Sequence, residues 1–130
     1  MGNKGIEIQQ SNFFDHLGLV RHRMDDGAVV ISMNIQEIHK DEVGNISSGL
    51  YYTLLDIALG SVLEQEDNFT ATIDMHVQIF EQQQISRLVC KGYNIHINGN
   101  IGSGRGDVFD ENGILVATGM ATFKLMKKVE

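Results

Sequence analysis

The chain has 130 residues, of which 42% are hydrophobic and 21% charged, so it can bury one ordinary core and wholesale disorder is not expected. The formal net charge is −7 and no Lys/Arg stripe is present, which disfavours nucleic-acid binding because phosphates need cations to neutralise them. The longest apolar stretch, 49–63, is too short to span a bilayer, and the start of the chain lacks a signal-peptide core, so with its single cysteine we expect a cytoplasmic protein with one domain over 1–130.

The first elements in chain order are short. Ser11 is a plausible cap for a helix that ends near His16. Asp25-Asp26-Gly27 is a hairpin signal between two strands, and the second of these strands, 28–35, alternates apolar and polar residues. The N-terminal part therefore predicts a helical turn followed by a β-hairpin.

The next element is one long helix over 49–63. The segment is too long for a typical strand, and Ser47 or Ser48 is a plausible N-cap. Asn68 is a candidate for closing the far end. Because apolar side chains occupy most sides of this helix, we expect protein to enclose it.

The second half of the chain has a period of two. Apolar residues alternate from Ala71 to Ile79, and further strands are predicted over 87–97, 102–109 and 114–126, with Gly92 as a possible bulge. A central long helix embedded in a meander of about five or six antiparallel strands is an α+β domain.

Asp56 is the only charged residue of the long helix. A buried carboxylate costs several kcal/mol unless it is paired or hydrogen-bonded, and a solvated helix face would carry other charges. Asp56 therefore either lines a cleft as a general base or has a structural partner such as a Tyr or Thr hydroxyl. Both interpretations stay open.

The start of this helix is the second candidate for chemistry. Backbone N–H groups at a helix N-terminus bind anions or polarise a carbonyl, and Ser47-Ser48-Gly49 would present such groups about two turns before Asp56. A base and an oxyanion donor at one cleft are what acyl transfer requires. Most helix starts of this kind, however, are simple caps.

These segments together resemble a known family. Asp41-Glu42-Val43-Gly44 through Ser47-Ser48-Gly49-Leu50, followed by Asp56-Ile57-Ala58-Leu59-Gly60, is similar to the hotdog thioesterase signature N-x-x-G-x-x-H-G-G, six residues, then D or E. The strand 72–77 and the hairpin 110–123 resemble the family's later elements. The resemblance covers about residues 15 to 125, and the branch it suggests is that of phenylacetic acid degradation and 4-hydroxybenzoyl-CoA thioesterases.

The resemblance implies a hotdog fold, in which a curved antiparallel sheet wraps the helix and two subunits pair their sheets. It implies hydrolysis of an acyl-CoA with a medium-chain or aromatic acyl group, at sites in the interface of a homodimer, which can pair further into a homotetramer. Asp56 matches the catalytic acid, the Ser48 N–H the oxyanion donor and Thr72 a residue that positions water. Coenzyme A enters as part of the substrate, and no separate cofactor or metal is implied.

Three residues depart from the family signature. Asp41 replaces Asn, Ser47 replaces His and Ser48 replaces the first Gly. A backbone donor survives a change of side chain at Ser48, whereas a serine hydroxyl replaces the lost His only in part. With Gly49, these positions are candidates for substrate binding.

Gly102, Gly104 and Gly106 share one face of a strand, where close packing is favoured over ligand contact. Gly104 and Arg105 nevertheless stay candidates for binding coenzyme A, the latter through a phosphate. The five histidines show no zinc spacing, and Cys90 is predicted to be a buried apolar group.

The substituted signature leaves a second hypothesis open, namely a hotdog protein that binds acyl-CoA without hydrolysing it. A third class, the hydroxyacyl dehydratases, fits poorly because that branch expects a histidine early in the region of the central helix.

Overall fold

The computed structural model describes residues 5–7, 12–64, 67–80 and 84–128. The elements in chain order are β1 (Ile6–Glu7), α1 (Asn12–Leu17), β2 (Leu19–Arg23), β3 (Val29–Asn34), a 3-10 turn (Glu37–His39), α2 (Ser48–Leu63), β4 (Asn68–Ile79), β5 (Arg87–Asn98), β6 (Ile101–Phe109) and β7 (Leu115–Lys127). The short helix and all the predicted strands are present, and Ser11, the predicted cap, lies outside the described residues.

One antiparallel sheet runs in the order β1-β2-β3-β5-β6-β7-β4, and α2 packs across it. The α+β class is confirmed. Six strands match the upper predicted number, and the seventh is the two-residue β1 at one edge. At the other end of the sheet is β4, which pairs with β7.

The core lies between α2 and the sheet. Leu54, Leu55, Leu59 and Leu63 of α2 are at most 1% exposed. Full burial of each such side chain contributes about 1.5–3 kcal/mol. Burial of these apolar side chains against the sheet therefore fixes the position of α2 and of its other side chains.

A row of glycines lets α2 approach the sheet. Gly92, Gly106 and Gly119 are register partners across β5, β6 and β7. A Cβ on Gly106 would lie 3.0 Å from Leu55 Cδ2 and 3.1 Å from the Lys91 carbonyl oxygen, and one on Gly92 would lie 3.1 Å from Leu59 Cδ2. The prediction of a bulge at Gly92 is wrong, because the irregularity of β5 falls between Asn94 and His96.

Two other details of the sequence prediction are corrected. The helix ends at Leu63, and Asn68 begins β4 instead of closing α2. The alternation of β4 is interrupted between Thr72 and Asp74, so Ile73 is 54% exposed. Because of this irregularity the Thr72 side chain faces α2, whereas the polar residues that follow it in β4 face away from α2.

Candidate functional site

Asp56 and Thr72 form the centre of the candidate site. Asp56 lies on the third turn of α2 and is partly exposed. The Thr72 hydroxyl of β4 donates a hydrogen bond of 2.6 Å to Asp56 Oδ1. A bond this short between a hydroxyl and a carboxylate is of the charge-assisted kind, and it fixes the carboxylate relative to the sheet. Asp56 therefore has the structural partner that one interpretation expected, yet it also meets open space.

Two clefts border Asp56. The first has a volume of about 360 Å³ and runs along α2 from Asp56 toward the helix C-terminus. The second, about 310 Å³, is shallower. It is lined by Tyr52, Thr53, Asp56, Thr72 and Met75. The pair Asp56–Thr72 is common to both clefts, so a substrate in either would meet the carboxylate.

The walls of the first cleft are of two kinds. Its apolar wall comes from α1, α2 and β7, namely Phe13, Phe14, Ile57 and Phe123. Its polar groups beyond the Asp56–Thr72 pair are Arg21, Thr53, Ser61, Glu64 and Thr70. Arg21 was not recognised from the sequence, although the alternation Arg21-His22-Arg23 in a predicted strand is the signal that could have shown two cations on one face.

Arg21 is a buried cation in this cleft. Its side chain is 8% exposed, its Nη1 donates to Ser61 Oγ at 2.7 Å, and its guanidinium carbon lies 4.7 Å from the centre of the Phe14 ring. Burial lowers the pKa of Arg21, the charge of Glu64 opposes that shift and the charge of Arg23 adds to it. An arginine stays protonated through such perturbations, so the group is a fixed positive charge.

The helix start lies at a different place on the surface. Ser48 is the first residue of α2, and Ser48 and Gly49 are exposed. Ser47 is the N-cap residue but makes no capping hydrogen bond through its side chain, and its N–H donates to the His39 carbonyl at 2.9 Å. None of Ser47, Ser48 and Gly49 lines either cleft at Asp56.

Asp41 organises the loop before the helix. Its Oδ1 accepts hydrogen bonds from the N–H groups of Val43 at 2.9 Å and Asn45 at 3.0 Å. The side chain thus holds the turn that contains Gly44, whose φ is +93°. Asp41 does not line the clefts at Asp56, so within one chain its carboxylate does not join that of Asp56.

Gly104 and Arg105 lie on opposite faces of β6. A Cβ on Gly104 would lie 3.0 Å from the Tyr93 carbonyl oxygen and 3.5 Å from Leu59 Cβ, so this position is occupied by close packing against α2. Arg105 is exposed on the outer face, between Tyr93 and Met120 in register. The two residues therefore do not form one site within a single chain.

Other chemistries find little support in the described residues. No group of three or more His, Cys, Asp or Glu side chains there is arranged to hold a metal. Cys90 is fully buried, and burial raises the pKa of its thiol, which makes it a poor nucleophile. In the same part of the chain, no helix has the length and hydropathy needed to cross a membrane.

Known structures share this architecture. A thioesterase from Haemophilus influenzae superposes with a TM-score of 0.84 at 15% identity, over 92% of this chain and 87% of that one. A thioesterase family protein from Silicibacter pomeroyi gives 0.82 at 17% identity, over 91% of both chains. A Bacillus halodurans protein solved with CoA gives 0.75 at 18% identity, over 84% and 74%.

No protein-family model matches the sequence, and no curated protein matches it. At these identities the structural likeness establishes the fold, and that fold is the hotdog fold that the sequence motifs predicted. The suggested branch, that of phenylacetic acid degradation and 4-hydroxybenzoyl-CoA thioesterases, stays a prediction.

Proposed function

We propose that this protein hydrolyses acyl-CoA thioesters, releasing a free acid and coenzyme A. The observation that carries the proposal is the position of Asp56, the one charged residue of a mostly apolar helix, where two clefts meet and where the Thr72 hydroxyl holds it. The thioesterase names of structural neighbours and the CoA bound to one of them support it. The acyl group is proposed to be of medium length or aromatic, and the protein to act in the cytoplasm.

In the proposed mechanism Asp56 acts as a general base. It accepts a proton from a water molecule as the water oxygen attacks the thioester carbonyl carbon, the C–S bond then breaks, and the thiolate takes up a proton. In the nucleophilic variant, the Asp56 carboxylate attacks the carbonyl carbon, the C–S bond breaks and the coenzyme A thiolate leaves and takes up a proton, and water then cleaves the resulting anhydride. In both, the Thr72 hydroxyl orients the carboxylate, and the Ser48 N–H stabilises the developing oxyanion.

A homodimer is part of this proposal because the two halves of the site lie apart in one chain. Ser48 does not border the clefts at Asp56. β4 is an edge strand: one of its long edges pairs with β7, and the other pairs with no strand among the described residues. Pairing β4 with its copy would extend the sheet across a two-fold axis. The Ser48 end of one subunit would then complete the Asp56 site of its partner, with Asp41, Ser47, Gly49, Gly104 and Arg105 as candidates for holding the substrate.

A second candidate function is binding of acyl-CoA without hydrolysis. It is favoured by Ser47, which replaces the family's histidine, and by the bond from Thr72, which already satisfies Asp56 Oδ1. Stabilisation of the protein by acyl-CoA with no release of thiol is the result that this alternative predicts.

The decisive experiment compares thiol release from a panel of acyl-CoA esters by the wild type and by Asp56→Asn. The amide keeps the shape of the carboxylate but cannot accept the proton, so we expect kcat to fall by about 10²- to 10⁴-fold. Thermal unfolding of both proteins checks that the substitution leaves the fold intact.

Asp25→Asn is the matched control for this substitution. Asp25 lies in the exposed β2–β3 turn, where the same chemical change should leave kcat within about twofold of the wild type. Equal rates for the wild type and Asp56→Asn would remove Asp56 from the mechanism, and absence of turnover by the wild type across the panel would favour the binding function.

A further inference from the structure

Four hydroxyl side chains line the first cleft at Asp56, and these are Thr53, Ser61, Thr70 and Thr72. Three of the four are hydrogen-bonded within the chain. The Thr72 hydroxyl donates to Asp56 Oδ1. The Thr53 hydroxyl donates to the Gly49 carbonyl oxygen at 2.8 Å, and Ser61 Oγ accepts from Arg21. Among the residues that the structure describes, no group is hydrogen-bonded to the Thr70 hydroxyl.

Thr70 lies farther along the cleft than the carboxylate of Asp56. Thr70 and Thr72 are two residues apart in β4, a spacing of about 6.7 Å along the strand. The Thr70 side chain faces α2, because a Cβ on Gly60 would lie 3.0 Å from Thr70 Oγ1. Gly60 is four residues after Asp56 in α2, or about 6 Å along the helix axis. The strand and the helix thus agree in placing the Thr70 hydroxyl about 6–7 Å from the carboxylate.

The surroundings of Thr70 suit a neutral polar group. The cleft holds two carboxylates, those of Asp56 and Glu64, and one guanidinium, that of Arg21, so its charges do not favour an anionic acyl group. A plain hydrocarbon chain that displaced water from the Thr70 hydroxyl would leave its donor and its acceptor unpaired, which costs free energy. A hydroxyl group on the acyl chain could pair with either of them.

We propose that Thr70 is a specificity-determining residue, which selects acyl groups that carry a hydroxyl group on the third carbon. This inference rests on the proposed function, since the thioester carbonyl must lie beside Asp56 and the acyl chain must enter the first cleft. An extended chain advances roughly 1.2 Å per bond, so this oxygen lies about 3.6 Å beyond the carbonyl carbon. A hydrogen bond of about 2.8 Å then covers the remaining distance to Thr70. The competing explanation is that Thr70 stays hydrated and only suits the strand.

The test compares 3-hydroxyhexanoyl-CoA, each enantiomer separately, with hexanoyl-CoA, which has the same number of carbons. One neutral hydrogen bond corresponds to a preference of roughly 3- to 10-fold in kcat/KM for one enantiomer of the hydroxylated ester. Thr70→Val keeps the shape of the side chain without the hydroxyl, so the ratio of the two kcat/KM values should fall to about one. Thr70→Ser keeps the hydroxyl and should retain the preference. If Thr70→Val does not fold, Thr70→Ala gives the same comparison.

Thr53→Val is the matched control. It makes the same chemical change in the same cleft, but the Thr53 hydroxyl already donates to the Gly49 carbonyl oxygen, so the preference should stay within about twofold of the wild type. The matched ester is 6-hydroxyhexanoyl-CoA, whose oxygen lies about 7 Å from the carbonyl carbon and so passes Thr70. A preference that persists in Thr70→Val, or that Thr53→Val abolishes equally, overturns the proposal.

Failure of the proposed function is distinguishable from failure of this inference. If the wild type hydrolyses hexanoyl-CoA without preferring either enantiomer of 3-hydroxyhexanoyl-CoA, the thioesterase proposal stands and the specificity proposal is wrong. If none of these esters is hydrolysed, their affinities for the wild type and for Thr70→Val decide. A preference that disappears in the variant supports the specificity, and equal affinities overturn it.

Discussion

The carboxylate of Asp56 and the first N–H of α2 are the two groups on which acyl transfer would depend, and different kinds of substitution are needed to remove them. Asp56 is a side chain, whereas the donor at Ser48 belongs to the backbone. Ser47 precedes it with φ −59° and ψ 132°, backbone angles outside the helical region that a following proline accepts. Proline is also well tolerated at the first position of a helix, where the N–H has no intrahelical partner. The donor can therefore be removed without breaking the helix.

We expect Ser48→Pro to reduce kcat by about 10²- to 10³-fold through loss of the oxyanion donor. The melting temperature should change little, because φ at a first helical position already suits proline. Steady-state thiol release together with thermal unfolding measures both effects.

Ser48→Ala is the companion variant, since it removes the hydroxyl and keeps the N–H. Its activity should stay close to that of the wild type if the backbone is the donor. A loss in Ser48→Ala as large as that in Ser48→Pro would instead assign the role to the hydroxyl, which both substitutions remove.

At the scale of elements, hydrophobic periodicity predicted the long helix and the strands because burial against a common core dictates those patterns. It could not show the break in β4. Apolar residues alternate without interruption from Ala71 to Ile79, but pairing with β7 shifts between Thr72 and Asp74. Register is a property of two strands, so one strand's sequence does not contain it. The contact of Thr72 with Asp56 depends on that shift.

The packing of the glycines was also predicted only in part. The close packing favoured for Gly104 from its strand pattern is what the structure has. The alignment of Gly92, Gly106 and Gly119 across three strands was invisible, because these residues are far apart in the chain. Arg21 was missed for the same reason: only the tertiary structure brings β2 to the end of α2.

Gly106→Ala tests whether the row fixes the height of α2 above the sheet. The new methyl group would meet Leu55 Cδ2 at 3.0 Å and the Lys91 carbonyl oxygen at 3.1 Å, and the backbone oxygen cannot easily move. We expect the free energy of unfolding to fall by about 1–3 kcal/mol, as for other overpacked cores. Chemical denaturation measures the change.

Gly49→Ala provides the same chemical change where there is room. The nearest atom to its new Cβ is Ser47 Oγ at 3.6 Å, and the position is helical. It should stabilise the protein by about 0.5–1 kcal/mol. Equal effects of the two substitutions would contradict the packing role of the glycine row.

For the whole molecule, the main question is whether one chain contains a complete site. In the described residues, the helix start and the Asp56 clefts occupy separate parts of the surface, and β4 presents an edge beyond its pairing with β7. The sequence motifs show where the two groups lie along the chain, but they do not show whether one site takes both groups from the same chain or from two chains. In the proposed dimer both chains contribute to each site, and this predicts how much activity a mixture of two inactive variants recovers.

Two inactive variants should restore activity when mixed. A heterodimer of Asp56→Asn and Ser48→Pro has one site with both defects and one site with an intact carboxylate and an intact donor. Random exchange of subunits makes half of the dimers mixed, so the mixture should recover about one quarter of the wild-type activity per chain. Mixing Asp56→Asn with the double variant is the control, because no intact site can form. If mass spectrometry shows mixed dimers but activity does not return, both groups act within one chain and the shared site is wrong.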